Sequence, residues 1–333
     1  MLKFFKTQED GKIDRIEAFE KNCWVDLVNP TDDELEDACA MTGVPEEMLR
    51  AALDEEETAR VERDEGALLC LLDTPTITDT DEGDTYETIP MALIRNETCI
   101  VTVSLRGNAV LGDFISNRTI VDTAKPVSFI LNFMMGNAKR FLSNLRQLDK
   151  KSLRLQAELH RSMKNQELIQ LLGIENSLVY FSTSLSANLN VYGKLERFPS
   201  ITGNEDYKDL FDDVVIETRQ AMEMCNIYRD ILSGTMDAYA SVISNNLNVV
   251  MKLLAVITLV ISVPTLIASL WGMNVPVPFA GLSWGFWLLI GISVVVTAVV
   301  SFFIIRSTNS IRIKTPRQIR RGRGHHPRND RRD

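Results

Sequence analysis

The sequence predicts an α+β domain followed by a long helical stalk and two membrane-spanning helices. Three observations lead there. Two apolar runs, 249–270 and 286–305, sit near the end of the chain, and each is long enough to cross ~30 Å of hydrocarbon at ~1.5 Å per residue. The pattern ahead of the first run stays helical from about residue 207, with Gly234 the only interior glycine before Gly272. Residues 1–125 instead mix β-branched runs with short capped helices.

Taken in order, Cys23-Trp24-Val25-Asp26-Leu27 reads as a strand ending in a turn at Asn29-Pro30. Thr31 then caps a helix, and Glu34 stands at the third position beyond it, as a capping box requires. Pro45 opens another short helix. Residues 67–72, 85–94 and 98–104 alternate or run apolar as strands do, with a polar turn over 79–84 and a hairpin turn at Asn96-Glu97. Residues 126–204 form a helical hairpin of the same domain: an amphipathic helix over 128–165, a second over 166–195, and a break at 199–204. Residues 205–274 make one helix, a stalk that becomes the first span. At ~60 residues it is roughly 90–100 Å long, which suits an oligomeric stalk more than a globular core. A loop over 275–285, a second span and a tail over 306–333 complete the chain.

The formal net charge of −9 hides a split: residues 1–250 carry −18, while the tail from Arg306 has ten Lys and Arg against two Asp. Basic residues directly after a span mark the cytoplasmic side, and two spans return the chain to its starting side. Both termini are therefore expected in the cytoplasm of a multi-pass cell (inner or plasma) membrane protein, with 275–285 outside. Met1-Leu2-Lys3-Phe4-Phe5 is charged too soon to be a signal peptide. Cys23, Cys39, Cys70, Cys99 and Cys225 show no metal spacing and read as small core residues. His160 reads as solvated, and His325-His326 belong to an Arg/Gly-rich tail of disordered composition. No Ser/His/Asp grouping or phosphate loop argues for an enzyme, and no nucleic-acid partner is expected.

Inside the first span lie four hydroxyl residues, Thr258, Ser262, Thr265 and Ser269, at spacings of 4, 3 and 4. At ~100° per residue they share an arc of about 60°. Hydroxyls in membrane helices bond back to their own carbonyls or glue helices together; a stripe this narrow also suits a face turned to water. The same register runs back through Ala255, Met251, Asn248, Ser244, Ser241 and Asp237, a 3.5-residue repeat of polar and small residues. Such a seam is a poor dry core and a good wall for a wet channel. Further back it reaches Asp230, Glu223 and Asp213, where a symmetric bundle would turn each acid into a carboxylate ring. Pro264 removes one helical hydrogen bond within the span and frees the carbonyl of Val260.

Trp271-Gly272-Met273-Asn274 closes the first span, and its Gly-Met-Asn, placed after an acidic stalk and before a last helix with a basic end, resembles the CorA magnesium transporter family. Met251-Lys252, Thr265, and Arg229-Asp230 followed by Gly234 and Asp237 are similar to that family's stalk and pore helix. The resemblance implies a homopentameric, funnel-shaped channel passing Mg²⁺ down its gradient, with Co²⁺ or Ni²⁺ as further passengers and Mg²⁺ also acting as the regulatory ion. It implies an outer ring of Asn274 shaped by Gly272 and Met273, and a cytoplasmic ring of Asp237. It further implies a path lined by Asn248, Met251, Leu254, Thr258, Ser262, Thr265 and Ser269, with Met251 and Leu254 as the constriction. Mg²⁺ sheds its inner waters reluctantly, so a neutral amide ring that bonds those waters fits it. Asp213 matches one half of the family's regulatory metal site. The facing position falls near Ala51, which is not acidic, and Asp54, Glu55 and Glu56 follow one turn on. Trp271 replaces the more usual Tyr, and 275–285 lacks the acid many members carry.

Two alternatives stand beside this reading. A zinc-transporting branch of the same family meets a stripe without His, Cys or acid, the ligands zinc prefers. A membrane-anchored coiled-coil scaffold accounts for the stalk and hairpin but not for the hydroxyl stripe. The basic tail reads as a topology signal that also suits anionic lipid.

Overall fold

The computed structural model describes residues 1–64, 66–80, 83–162, 165–274 and 284–309. The chain opens on β1 (Leu2–Thr7), β2 (Ile13–Ile16) and β3 (Trp24–Val28), followed by α1 (Asp32–Thr42), α2 (Glu46–Arg50) and a 3₁₀ turn, Ala51–Leu53. Next come β4 (Arg60–Asp64), β5 (Ala67–Thr80), β6 (Gly83–Arg95) and β7 (Ile100–Ser104). The helices α3 (Ala109–Ile115), α4 (Pro126–Ser162), α5 (Asn165–Leu195), α6 (Pro199–Thr202), α7 (Glu205–Trp271) and α8 (Gly285–Asn309) complete it. Seven strands form one sheet in the order β2-β1-β3-β7-β6-β5-β4, with β3–β7 the parallel pair.

Both faces of the central strands are buried, which explains their nearly continuous apolar sequence. On one face Trp24, Cys70, Met91, Leu93 and Ile100 pack with α3, α4, α5 and the start of α7. On the other, Val25, Leu27, Leu69, Leu71, Val101 and Val103 pack with α1 and α2. The capping box at α1 is present. Thr31 Oγ1 accepts the Glu34 N–H at 3.3 Å, and Glu34 Oε2 accepts the Thr31 N–H at 3.0 Å. Gly43, at φ 70°, ends the helix in the left-handed region that favours glycine. Cys23, Cys70, Cys99 and Cys225 are buried free thiols, and burial pushes Cys70 up to about 12 and Cys99 and Cys225 to about 11. They are core residues, as expected.

A buried polar chain crosses the parallel pair. Trp24 Nε1–H donates to Thr102 Oγ1 at 2.8 Å, and Thr102 donates to Asp26 Oδ1 at 2.7 Å. Burial raises the Asp26 carboxyl, against the opposing pull of the Thr102 hydroxyl and Lys3. A folded-state value above the unfolded one makes the charged form unfavourable. Asp26 therefore contributes most when protonated at low pH and loses that contribution as pH rises through its raised value. Asp26→Asn keeps the acceptor for Thr102, so its melting temperature relative to the parent chain is expected to rise steadily from acid to neutral pH. A constant difference across a pH series of thermal melts would contradict this.

β5 outruns its neighbour. β4 pairs only as far as Arg60 opposite Leu71, and Pro90 opposite Asp73 has no N–H. The backbone of Asp73 is served by side chains instead. Its N–H donates to Asn188 Oδ1 at 2.9 Å, and its carbonyl accepts from Asn188 Nδ2 and Asn137 Nδ2, each at 2.9 Å. Asn188→Ala strands the N–H in the interior and should cost about 2–3 kcal/mol, read as a lower thermal midpoint with an unchanged assembled state.

Several expectations are corrected here. Residues 79–84, expected as a turn, include the last rungs of a ladder, Asp79 opposite Asp84 and Thr80 opposite Gly83. The residue pair between them lies outside the described residues. The break at 199–204 contains the short helix α6. The long helix is present as α7, and its first half also packs on the domain. The chain divides into compact units Met1–Asp237 and Ala238–Asp333, and within the first unit Phe211, Val214, Thr218, Ala221, Cys225 and Leu232 of α7 are buried. Their spacings of 3, 4, 3, 4 and 7 trace one helix face docked on the domain.

Candidate functional site

The candidate site is the exposed side of α7 and the turn that ends it. Two described helices, α7 and α8, are long and apolar enough to cross a membrane, and neither apolar stretch is buried in the chain's own core. Within the apolar run and the residue that follows it, 249–271, the partly covered residues of α7 are Val256, Leu259, Val263, Pro264, Ile267 and Trp271. Except for the proline they recur every three or four residues. The hydroxyl residues Thr258, Ser262, Thr265 and Ser269 are missing from that face; Thr258, Ser262 and Ser269 are exposed, and so is Thr265. At ~100° per residue the middle of the covered face lies about 150° from the middle of the hydroxyl stripe. The stripe is therefore the side that this unit leaves uncovered.

On α8 the covered residues include Leu288, Ser293, Thr297, Val300, Ser301 and Ile304. Sequence reasoning passed over Ser293, Thr297 and Ser301, although their i, i+4, i+8 spacing is the mark of a close helix contact in a membrane. Thr297 Oγ1 is buried there without a hydrogen-bond partner.

The threonines of the stripe bond back to their own helix. Thr258 Oγ1–H donates to the Leu254 carbonyl at 2.8 Å, and Thr265 Oγ1–H donates to the Ile261 carbonyl at 2.7 Å. These bonds fix each hydroxyl against the helix and leave its lone pairs facing outward. α7 continues through Pro264, which cannot donate to the Val260 carbonyl.

The helix ends where the Gly-Met-Asn tripeptide begins. The Gly272 N–H still donates to the Ala268 carbonyl at 2.9 Å. A Cβ at Gly272 would lie 3.3 Å from the Ala268 oxygen and 3.7 Å from that of Ser269, so glycine lets the chain turn off the helix without crowding its last carbonyls. Met273 and Asn274 are exposed in that turn. The loop expected at 275–285 lies outside the described residues up to 283.

Toward the N-terminal end of the apolar stretch of α7, Asn248, Met251 and Leu254 are exposed, the last two at 66% and 53%. Asp237 is exposed at the boundary of the first unit, and Asp213, Glu223 and Asp230 are exposed along α7, off the buried stripe. Ala51 is only 6% exposed and belongs to the core beneath α1 and α2, so that position presents nothing to a partner. Asp54 is exposed just beyond it, and its Oδ1 accepts the Glu56 N–H at 3.0 Å. Glu55 pairs with Arg106 at 3.6 Å. Among the described residues no group of three or more His, Cys, Asp or Glu is placed to hold a metal ion within one chain.

The model for CorA-like Mg²⁺ transporter proteins matches residues 19–306 of this chain. The chain is similar to the cobalt/magnesium transport protein CorA of Methanocaldococcus jannaschii, at 30% identity over 310 residues covering 90% of this chain and 95% of that protein. Among solved structures, the complete CorA magnesium transporter of M. jannaschii superposes with a TM-score of 0.76 at 24% identity, covering 92% of this chain and 97% of that one. The cytoplasmic domain of ZntB from Vibrio parahaemolyticus gives a TM-score of 0.56 at 8% identity over 74% of this chain and 97% of that one, a likeness of fold alone.

Proposed function

This chain belongs to the CorA-like Mg²⁺ transporter family, and from that premise we propose that it forms a homopentameric pore passing Mg²⁺ passively across the cell membrane, with Co²⁺ and Ni²⁺ as further cargo. Both termini face the cytoplasm in this reading. The observation that carries it is the placement of the hydroxyl stripe opposite the covered face of α7, with the Gly-Met-Asn turn directly beyond it. A helix whose oxygen-bearing side is the one its own unit leaves free can turn that side to water among copies of itself.

In the pentamer, Asn274 amides ring the outer mouth and hydrogen-bond the waters of the hydrated ion, held in place by the turn at Gly272 and Met273. Thr258, Ser262, Thr265 and Ser269 line the path. Met251 and Leu254 form an apolar constriction that closes by dewetting, Asn248 lies on its cytoplasmic side, and Asp237 collects cations below it. The stripe offers a zinc ion no nitrogen or sulfur ligand, so magnesium is the better fit. Downhill uptake by purified protein in liposomes, compared for Mg²⁺, Co²⁺, Ni²⁺ and Zn²⁺, tests this; uptake of zinc alone, or of no ion, would overturn it.

Asp213 of one copy and Asp54 of the next are proposed to share a regulatory Mg²⁺, because both carboxylates are exposed and Asp213 stands where the family's site has one of its acids. Millimolar Mg²⁺ should then protect the cytoplasmic domain from protease, and Asp213→Ala should weaken that protection severalfold. Equal protection of the two proteins would move the sensor elsewhere.

A further inference from the structure

Pro264 leaves one carbonyl of α7, that of Val260, without its helical donor. In lipid an unserved backbone group is costly, and a neighbouring helix or a Ser or Thr side chain commonly serves it. On α8, Thr297 Oγ1 is buried with no hydrogen-bond partner, although Thr258 and Thr265 of α7 both bond back to the carbonyl four residues earlier. The second unit thus holds a carbonyl that lost its donor and a hydroxyl that has no acceptor, on two different helices.

Their places match. Read backward from the end of α7, the covered residues Trp271, Ile267, Val263, Leu259 and Val256 are 4, 4, 4 and 3 residues apart. Read forward from the start of α8, covered Gly285, Leu289, Ser293, Thr297 and Val300 repeat those intervals. Two successive spans run antiparallel, so the two series face each other level by level, and Thr297 stands level with Leu259. At ~1.5 Å per residue it is within about 2 Å of the height of Val260. A Cβ tilts toward the N-terminus of its own helix, which on α8 carries the Thr297 hydroxyl toward the C-terminal end of α7. The Val260 carbonyl points the same way.

The rotation about each axis agrees as well. At ~100° per residue, the Val260 carbonyl emerges between Val260 and Pro264, about 60° from the middle of α7's covered series. Thr297 lies about 60° from the middle of α8's series. With antiparallel axes both offsets fall on the same side of the contact.

We propose that within the bilayer Thr297 Oγ1–H donates to the Val260 carbonyl and replaces the amide that Pro264 removes. The bond pins α8 to α7 at the proline. It thereby fixes the rotation of α7 about its axis and keeps the hydroxyl stripe turned away from α8. The inference rests on the reading of the two helices as spans and is independent of the ion carried.

The test is a double-mutant cycle on the full-length protein, reading the midpoint of heat-induced loss of the assembled species by size exclusion. T297V keeps the side-chain volume, loses the hydroxyl, and should lower the midpoint by roughly 2 °C or more. T297S keeps the hydroxyl, loses a methyl, and should shift the midpoint by less than T297V. P264A supplies an N–H for the Val260 carbonyl, so T297V added to P264A should cost less than about half its shift in the parent chain. S293A, one turn away on α8, should show no dependence on residue 264. An equal shift by T297V in the two backgrounds, an unaltered midpoint in T297V, or a larger loss from T297S than from T297V would overturn the proposal. Coupling at Ser293 in place of Thr297 would overturn it too, by giving the carbonyl to the other hydroxyl. Ion uptake is not among the readouts, so a failed cycle leaves the transport reading standing.

Discussion

Asn274→Ala is expected to reduce Mg²⁺ uptake into liposomes at least about a hundredfold while leaving the assembled protein intact. The substitution removes one amide from every copy. At ~1 kcal/mol for each hydrogen bond to an ion's water, a ring of such amides accounts for several powers of ten in how often the hydrated ion enters. Nothing in the fold depends on this side chain, which is exposed in the turn after α7. A fluorescent Mg²⁺ reporter inside the vesicles, with size exclusion to check assembly, reads both quantities. Uptake at the parent rate would remove Asn274 from selection.

The second large effect concerns the stripe. Thr258→Val combined with Thr265→Val keeps side-chain volume and removes two rings of oxygen from the path. Apolar rings at that spacing favour dewetting, so uptake is expected to fall by roughly tenfold or more. The converse change on the covered face, Val256→Thr with Val263→Thr, should leave uptake within about twofold, because those residues sit about 150° away. Parent-like uptake by the stripe variant would reduce the hydroxyls to bonding back on their own helix, the role visible at Leu254 and Ile261.

Much of this was legible in the residues. The capping box at Thr31, the strands through Trp24 and Ile100 and the extent of α7 follow from local chemistry, and each has its partner in the structure. The strands that escaped notice lack a pattern to read. β1 buries Phe5 in the core of the helical side and turns Phe4 to the opposite side, so it shows no alternation. β4, Arg-Val-Glu-Arg-Asp, is an edge strand held by pairing with β5, with Val61 its only apolar residue. β5 extends past Pro75 because β6 pairs with it and Asn188 replaces the missing neighbour, which local propensity does not reveal. In the candidate site, the hydroxyl stripe and the Gly-Met-Asn turn were readable from spacing. The side of α7 that α8's unit covers was not, because Leu, Val and Ile suit lipid and helix contact equally. The burial of Ala51 likewise depended on the packing of α1 and α2, which no local pattern announces.

The back-bonded threonines carry a last consequence. With its hydrogen committed to a carbonyl four residues earlier, each hydroxyl can only accept. A cation's waters turn their hydrogens outward and find acceptors along such a wall. The waters around chloride each commit one hydrogen to the ion and so have fewer left to donate there. In the proposed pore, such a wall favours cations over anions through the orientation of their hydration, without a charged side chain in the stripe itself.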